Sequence, residues 1–142
     1  FGKKGMNVEL SILAGNTAAT AYSYANEWMA GIPDDALLSS VNIPATHDTG
    51  TAGVVEDLVP SVSITSCQNL YYDEQLNMGA RSFDIRANAT KDDASAADVK
   101  IVHGGELWQC QEKNGSDLTL QSILNTSLRF YNWIRACGRR IY

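Results

Sequence analysis

The sequence predicts an α/β domain, and two kinds of observation support this class. The 142 residues are 44% hydrophobic and 19% charged, a composition that can bury a core. Their number favours one domain, or one domain with an extension. Segments with helical and alternating apolar patterns follow one another in the order helix, strand, helix, strand, strand, helix. This alternation is typical of α/β proteins that contain some parallel strands.

Two helices and one strand are predicted in the first half of the chain. The first helix is capped by Asn16 and stops at Gly31. A short strand takes Leu38 to Pro44, and the small polar residues from Ala45 to Gly53 predict a loop. The second helix takes Asn69 to Met78. Its apolar face contains Tyr72, Gln75 and Leu76.

Two strands and a long helix are predicted in the second half. Arg81 to Arg86 alternates and predicts a strand, and Ala87 to Asp98 reads as a solvated loop. Val99 to Val102 is the third strand, which ends at His103. Thr119 to about Ile134 is an amphipathic helix, capped by Asp117 or Thr119. Its apolar stripe contains Leu120, Ile123, Leu124, Leu128 and Tyr131.

Charge and hydropathy exclude two classes of partner. The 16 acidic residues outnumber the 11 basic ones, which gives a net charge of −5, and no Lys/Arg cluster occurs, so nucleic acid is not expected to bind. No run of about 18 apolar residues is present, so no membrane-spanning helix is expected. Phe1 to Gly15 lacks the parts of a signal peptide, which says little about the compartment.

The three cysteines, Cys67, Cys110 and Cys137, are an odd number without metal-ligand spacing. A disulfide between Cys67 and Cys110 is one interpretation, and isolated buried thiols are the favoured one. With only two histidines, a zinc site would need an unusual ligand set. We expect no metal and no other cofactor.

Three chemically capable side chains stand at strand ends. His47 follows the first predicted strand, Arg86 ends the second and His103 ends the third. Catalytic groups gather at such ends in α/β barrels. Two imidazoles and a guanidinium suit phosphodiester cleavage, in which one histidine accepts a proton, the other donates one and the arginine binds phosphate oxygens. Asp48 and Asp84 are candidate partners, although Asp48 can also cap a turn and Asp84 can merely anchor Arg86.

Three linked motifs, IPATHDTGT, GARSFDIR and IVHGG, precede the segment TLQSILNTSLRFYN. Their order and spacing resemble the X domain of bacterial-type phosphatidylinositol-specific phospholipase C, over roughly Trp28 to Asn132. The resemblance implies an α/β fold that is the N-terminal part of a (β/α)8 TIM-like barrel. We expect this barrel to be truncated, because the barrel of the family has about eight strands and 250 residues. Residues 1–27 are then a linker or the end of a preceding region, and residues 28–142 a partial X domain.

The resemblance also implies a role for each candidate residue. His47 matches the general base that deprotonates the inositol 2-hydroxyl, and His103 the general acid that protonates the diacylglycerol oxygen. Asp48 matches the carboxylate that assists the acid, Arg86 the arginine that stabilises the phosphate charge, and Asp84 its neighbouring carboxylate. The implied products are diacylglycerol and inositol 1,2-cyclic phosphate. Arg86 stands where eukaryotic relatives bind calcium, so calcium-independent chemistry is expected.

The implied partner is phosphatidylinositol or a related phospholipid headgroup, met in a transient contact with a membrane surface. Bacterial relatives are usually secreted, so an extracellular location is expected. Insertion at a lipid interface is one interpretation of Trp28, Trp108 and Trp133, and packing in the core or against helices is the favoured one. Trp108 is the exception, because it lies five residues after His103 at the predicted mouth of the site. 

Two alternative functions remain open at this point. One is another phosphodiesterase of the same superfamily, such as a sphingomyelinase-like member. The other is a catalytically impaired lipid- or inositol-phosphate-binding module that kept these motifs. Because the chain supplies about three predicted strands, we expect it to be unstable or prone to aggregation when isolated, and at best weakly active.

Overall fold

The structure is a computed structural model that describes residues 25–54, 65–89, 91–104 and 108–136. These residues form two small β-sheets and two α-helices, so the predicted mixed α/β class is confirmed. The α-helices are α1 (Tyr72–Asn77) and α2 (Leu120–Ala136). The strands are β1 (Ala45–Thr46), β2 (Ser82–Phe83), β3 (Ala87–Ala89), β4 (Val99–His103) and β5 (Trp108–Gln109). Short 3-10 helices take Ala25–Gly31, Leu38–Ser40 and Thr49–Gly53.

Strands β1 and β2 run parallel, with Ala45 opposite Ser82 and Thr46 opposite Phe83. Some parallel strands were predicted for the α/β class, but the predicted position of the first strand was wrong. Leu38–Ser40 is a 3-10 helix, and the strand begins only after Pro44. Pro44 has no N–H to donate, yet its carbonyl accepts hydrogen bonds from the N–H groups that lead into β2. Leu38 is exposed, so the alternating pattern of the segment from Leu38 to Pro44 does not mark a buried strand face.

Strands β3, β4 and β5 form an antiparallel sheet in that order. Ala87 lies opposite Ile101 and His103 lies opposite Trp108. The prediction for β4 is confirmed, whereas the prediction that Ala87–Asp98 is entirely a loop was wrong. Ala87–Ala89 lacks the β-branched residues that mark strands, and its pairing with β4 gives it strand structure.

Helix α1 buries Tyr72, Gln75 and Leu76, which confirms its predicted face. It begins three residues later than expected, where Glu74 accepts a hydrogen bond from the Tyr71 N–H (2.9 Å). The chain leaves the helix through Gly79, whose φ of 101° suits glycine. 

Helix α2 was predicted correctly in extent and cap, and its buried face was predicted in part. Thr119 Oγ1 accepts a hydrogen bond from the Ser122 N–H at 3.1 Å, as an N-cap does. The buried stripe shares Leu120 and Ile123 with the predicted one and then continues through Phe130 and Ile134. Ile123 and Ile134 are buried, whereas Leu120 and Phe130 are partly buried against the core. The exposed residues of the predicted stripe are Leu124, Leu128 and Tyr131, and Trp133 is also exposed against expectation.

The core lies between α1, α2 and the antiparallel sheet. It contains Tyr72, Leu76, Ile101, Cys110, Leu118 and Ile123. Cys110 is a buried free thiol whose pKa is raised by burial to about 11. Cys67 is free and exposed, so the Cys67–Cys110 disulfide is absent, and of these two cysteines Cys110 is the buried thiol that was expected.

Some of the sequence predictions fall wholly or partly outside the described residues. Residues 16–24 of the predicted first helix lie outside the described residues, and Ala25–Gly31 is a 3-10 helix. Cys137 also lies outside them. No helix within the described ranges is both long and apolar enough to cross a membrane.

Candidate active site

The candidate site lies where three strands end. His47 and Asp48 directly follow β1, Asp84 directly follows β2, and His103 is the last residue of β4. Asp84 accepts through its carbonyl from the Thr49 N–H, which draws the first loop over the second strand end (3.0 Å). The carbonyl of Arg86 accepts from the N–H next to His103, that of Val102, at 2.9 Å. These backbone bonds bring together side chains that are up to 56 positions apart in the sequence.

Asp48 is the centre of this cluster. Its side chain is only 2% exposed, and its Oδ2 lies 3.0 Å from His47 Nε2 and 3.1 Å from His103 Nε2. Its Oδ1 forms an ion pair with Arg86 Nε at 2.7 Å. A carboxylate buried to this degree requires compensating positive charge or hydrogen bonds, and the site supplies both types of group.

The backbone of Asp48 has a left-handed conformation, with φ 47° and ψ 54°. Aspartate tolerates this region better than most residues. Its carbonyl accepts from Thr51, as at a helix start, but its side chain makes no capping bond. Asp48 therefore lies at the cap position of a turn, as its simpler interpretation predicts, but it caps through its carbonyl and not through its side chain.

Asp84 holds the other side of the cluster. Its Oδ2 accepts from the Asp48 N–H at 3.1 Å, contacts His47 Nδ1 at 3.2 Å and accepts from Arg86 Nη2 at 3.2 Å. The Asp48 N–H and the guanidinium lower the pKa of Asp84 below its ordinary value. The hydrogen bond to Asp84 in turn raises the pKa of Arg86. Asp84 does anchor Arg86, as its simpler interpretation predicts, and it also contacts the imidazole of His47.

The two histidines differ in environment. The side chain of His47 is 67% exposed, whereas that of His103 is 16% exposed. The His103 ring lies beside the Trp108 indole, with centroids 6.1 Å apart and planes at 31°. Gly104 makes this packing possible, because its φ is +65° and a Cβ there would lie 2.1 Å from the indole. Trp108 thus lies beside the candidate site, as its predicted position near the mouth requires.

The sequence did not identify three residues that support the His47 loop. Gln68 donates a hydrogen bond to the His47 carbonyl. Buried Gln75 donates from Nε2 to the Thr49 and Leu70 carbonyls at 2.9 Å and 2.6 Å. A glutamine on the buried face of a predicted helix was the available signal, because a buried amide needs partners.

Cys67 is the third residue that sequence reasoning missed. Its Sγ lies 3.5 Å from Asp48 Oδ2, and its N–H donates to Thr51 Oγ1 at 2.9 Å. Loss of hydration and the Asp48 carboxylate raise the pKa of this thiol. Cys67 belongs to no cysteine spacing motif, so the sequence did not indicate that its thiol lies beside Asp48.

A buried carboxylate shared by two imidazoles, with a guanidinium beside it, is a donor and acceptor set suited to phosphate-ester chemistry. Among the described residues, the side chains that could hold a metal ion are His47, Asp48 and Cys67, whose ligand atoms all lie within 4.8 Å of one another. 

The chain is similar to bacterial 1-phosphatidylinositol phosphodiesterases. It is 35% identical over 77 residues to the enzyme of Staphylococcus aureus strain Newman, a match that covers 54% of this chain and 23% of the relative. The enzyme of Listeria monocytogenes serovar 1/2a is 36% identical over 80 residues, which cover 55% of this chain and 22% of the relative. The match therefore spans less than a quarter of the length of these curated relatives. No protein-family model matches the chain.

Solved structures give the same relationship. A phosphatidylinositol-specific phospholipase C from S. aureus matches with a TM-score of 0.58 and 26% identity. The match covers 77% of this chain and 32% of the S. aureus chain. A variant of that enzyme has a TM-score of 0.59 and 25% identity. The resemblance that the motifs predict is thus confirmed by independent sequence and structure matches. 

Proposed function

We propose that this chain carries acid–base and phosphate-binding groups that cleave phosphatidylinositol to diacylglycerol and inositol 1,2-cyclic phosphate. The observation that carries the proposal is the Asp48 carboxylate, which contacts His47, His103 and Arg86 from a nearly dry position. The similarity to 1-phosphatidylinositol phosphodiesterases supports the substrate class. 

His47 is the proposed general base. A neutral imidazole donates from one nitrogen only, and Asp84 Oδ2, 3.2 Å from Nδ1, is the acceptor that keeps the proton there. The inositol 2-hydroxyl is proposed to replace the 3.0 Å contact of His47 Nε2 with Asp48 Oδ2, so that its proton passes to the Nε2 lone pair while its oxygen attacks phosphorus. Because the nucleophile belongs to the substrate, the attack is intramolecular and loses little entropy. The exposure of His47 leaves room for the inositol ring.

His103 is the proposed general acid. Asp48 Oδ2, 3.1 Å from Nε2, stabilises the protonated ring. The leaving diacylglycerol oxygen approaches the same Nε2–H edge and takes the proton as its bond to phosphorus breaks. One proton thus leaves the 2-hydroxyl for His47 and another reaches diacylglycerol from His103.

Arg86 is proposed to bind the phosphate as its negative charge is redistributed. Its guanidinium is already oriented by Asp48 and Asp84, at 2.7 Å and 3.2 Å. A preorganised cation reduces the reorganisation needed in the transition state. The same cation repels calcium from these carboxylates, so we propose calcium-independent cleavage, which persists in the presence of a calcium chelator.

Three wider properties are also proposals. The parallel pair β1–β2 is proposed to be part of a TIM-like barrel, as in the phospholipase C class that the fold matches. The proposed partner is a phosphatidylinositol headgroup, reached by transient contact with a membrane surface, because the net charge of −5 gives no general attraction to anionic lipids. An extracellular location is proposed by analogy with the bacterial relatives.

The direct test is ³¹P NMR of phosphatidylinositol vesicles incubated with the purified 142-residue chain. This measurement separates a cyclic phosphate product from a monoester. We expect the cyclic product from the unsubstituted chain, and a rate reduced about 100-fold or more in His47→Ala and His103→Ala. 

A matched pair of arginine substitutions is the control. Arg86→Lys removes the planar contact with two carboxylates and should reduce the rate strongly. Arg129→Lys changes an arginine whose observed partner is Thr126, and should leave the rate unchanged. Absence of the cyclic product, or full activity of His47→Ala, would contradict the proposal. Binding of vesicles without cleavage would favour the lipid-binding alternative instead.

A further inference from the structure

Three side chains of different chemical class meet beside the solvent edge of the candidate site. Asp48 Oδ2 lies 3.0 Å from His47 Nε2 and 3.5 Å from Cys67 Sγ. All three ligand atoms lie within 4.8 Å of one another. The imidazole and the thiol belong to exposed residues, whereas the carboxylate is buried, so an ion can reach the group from solvent.

This spacing suits a tetrahedral zinc ion. Zinc binds thiolate sulfur, imidazole nitrogen and carboxylate oxygen at about 2.0–2.3 Å, so ligand atoms in a tetrahedral site are separated by roughly 3.3–3.8 Å. Two of the observed separations are 3.0 Å and 3.5 Å, close to those values. The exposed side chains of His47 and Cys67 can adjust the third without moving the buried carboxylate. A water molecule would complete the coordination, since three protein ligands and one water are a common zinc arrangement.

The surrounding groups already orient these ligands. Asp84 Oδ2 lies 3.2 Å from His47 Nδ1, the position of the carboxylate that fixes a zinc-bound histidine in many proteins. Arg86 Nε binds the other oxygen of Asp48, at 2.7 Å, and leaves Oδ2 directed at the imidazole and the thiol. The Cys67 N–H is held by Thr51 Oγ1 at 2.9 Å, which fixes the backbone from which the thiol extends.

We propose that His47, Asp48 and Cys67 bind Zn²⁺ or a similar borderline-soft divalent cation, and that this ion inhibits the candidate active site. Binding replaces the proton of the Cys67 thiol, which is released to solvent, and uses the Nε2 lone pair of neutral His47. Once the Cys67 thiolate has formed, it surrounds the ion together with the Asp48 and Asp84 carboxylates and the Arg86 cation. The net charge of these groups then balances a divalent cation. Arg86 opposes a hard cation, but thiolate and imidazole favour a softer one.

The inhibition rests on the function proposed above. The ion occupies the lone pair that His47 needs as general base, and it also occupies Asp48 Oδ2, which supports His103. Metal binding itself is independent of activity and can be tested separately.

The test is a titration of the metal-free, reduced 142-residue chain with Co²⁺, which reports ligand type through its absorption spectrum. We expect one equivalent to bind, with a thiolate-to-cobalt charge-transfer band in the near ultraviolet and the visible bands of four-coordinate cobalt. Addition of Zn²⁺ should remove these bands, since zinc competes for the same ligands.

Two cysteine substitutions make the test specific. Cys67→Ser should abolish the charge-transfer band and weaken Zn²⁺ binding about 10-fold or more, at least as much as loss of a group that merely orients a ligand. Cys110→Ala removes a buried thiol that is not part of the His47, Asp48 and Cys67 group and should leave the band unchanged. Circular dichroism of both variants shows whether the fold is retained. No band in the unsubstituted chain, or a band that survives in folded Cys67→Ser, would overturn the proposal.

A second measurement tests the inhibition alone. If the chain releases cyclic inositol phosphate, Zn²⁺ should inhibit it, and Cys67→Ser should require about 10-fold more Zn²⁺ for the same inhibition. Cobalt binding through Cys67 in a chain without activity would support the metal site while contradicting the proposed function. Activity that Zn²⁺ does not change, despite that cobalt spectrum, would overturn the inhibitory role.

Discussion

His47 follows the two-residue strand β1 and exposes 67% of its side chain, whereas His103 ends the five-residue strand β4 and exposes 16%. The loop of His47 is held by polar contacts, from Gln68 and Gln75 to backbone carbonyls and from Asp84 to the imidazole. The ring of His103 also contacts Asp48, but its further support is packing against the Trp108 indole.

This difference shows that one cluster can be assembled from two kinds of support. The His47 end depends on hydrogen bonds and charge, so it should respond to substitutions that remove a polar partner. The His103 end depends on shape, so it should respond to substitutions that change volume beside Trp108. Asp48 contacts both rings and is the residue whose loss should affect both ends at once.

Asp48→Asn is expected to have the largest effect. Asparagine keeps the size and tolerates the left-handed backbone, but it removes the charge that stabilises a protonated imidazole. We expect cyclic phosphate release to fall by about 100-fold to 10,000-fold, with little change in the fold. Asp73→Asn, an exposed carboxylate that pairs with Lys113, is the matched control and should retain full activity. A rate for Asp48→Asn within a factor of about three of the control would contradict this central role.

Gly104→Ala should be the most damaging substitution at the His103 end. The new Cβ would stand 2.1 Å from the Trp108 indole and would also be strained by the positive φ. The backbone strain costs about 1–2 kcal/mol, and the overpacking adds about 1–3 kcal/mol. Urea unfolding of the variant gives the sum of these terms.

Gly115→Ala separates the two terms. Gly115 also has a positive φ, of +82°, but a Cβ there meets nothing within 4 Å. Its substitution should therefore cost only the backbone term, about 1–2 kcal/mol. If both alanine variants lose the same free energy of unfolding, packing against Trp108 does not support this strand end.

Gln75→Met tests the polar support of the His47 end. Methionine has a similar shape, but it leaves the carbonyls of Thr49 and Leu70 without the donor that now lies 2.9 Å and 2.6 Å away. We expect a loss of about 1–3 kcal/mol in the free energy of unfolding, because buried acceptors lose their partner. Gln121→Met, an exposed glutamine on α2 that bonds to Asn125, should cost far less. Equal losses from the two substitutions would mean that the buried amide adds no support.

Elements with a strong local pattern could be predicted from the sequence. The buried face of α1 and the strand β4 follow from their own residues, whereas β3 exists because β4 pairs with it. Helix α2 carries two competing apolar stripes. Leu128 belongs to the exposed one and Ile134 to the buried one, and only the packing against the sheet and α1 decides between them.

The site residues that lie at strand ends could be predicted from the sequence. The residues that reach the site from other segments, such as Cys67, Gln68 and Gln75, could not. Arg81 and Arg86 illustrate the boundary, because both lie in the motif RSFDIR. Arg86 joins the carboxylates, whereas Arg81 donates to the Leu76 and Ala80 carbonyls and lies over the Phe130 ring. Burial lowers the pKa of Arg81 to about 10, a property that no local pattern reveals.

Asp84→Asn should have the smallest effect on stability and a characteristic dependence on pH. The Asp48 N–H and the Arg86 guanidinium hold the pKa of Asp84 below its ordinary value of 3.8. A lowered pKa stabilises the folded chain above pH 3.8, and this contribution disappears as the pH falls through the lower pKa of the folded state. The stability difference between the unsubstituted chain and Asp84→Asn, measured by urea unfolding, should therefore shrink below pH 3.8.

Asp98→Asn is the matched control for that experiment. Hydrogen bonds from the Ser95 hydroxyl and N–H also lower the pKa of Asp98, so its substitution should give the same sign of pH dependence. Asp98 lies in the turn before β4 and contacts neither histidine, so cyclic phosphate release should be unchanged in Asp98→Asn and reduced in Asp84→Asn. The reduction is expected because Asp84 contacts Nδ1 of His47, at 3.2 Å. Equal activity of the two variants at every pH would show that Asp84 serves only the fold at the His47 end.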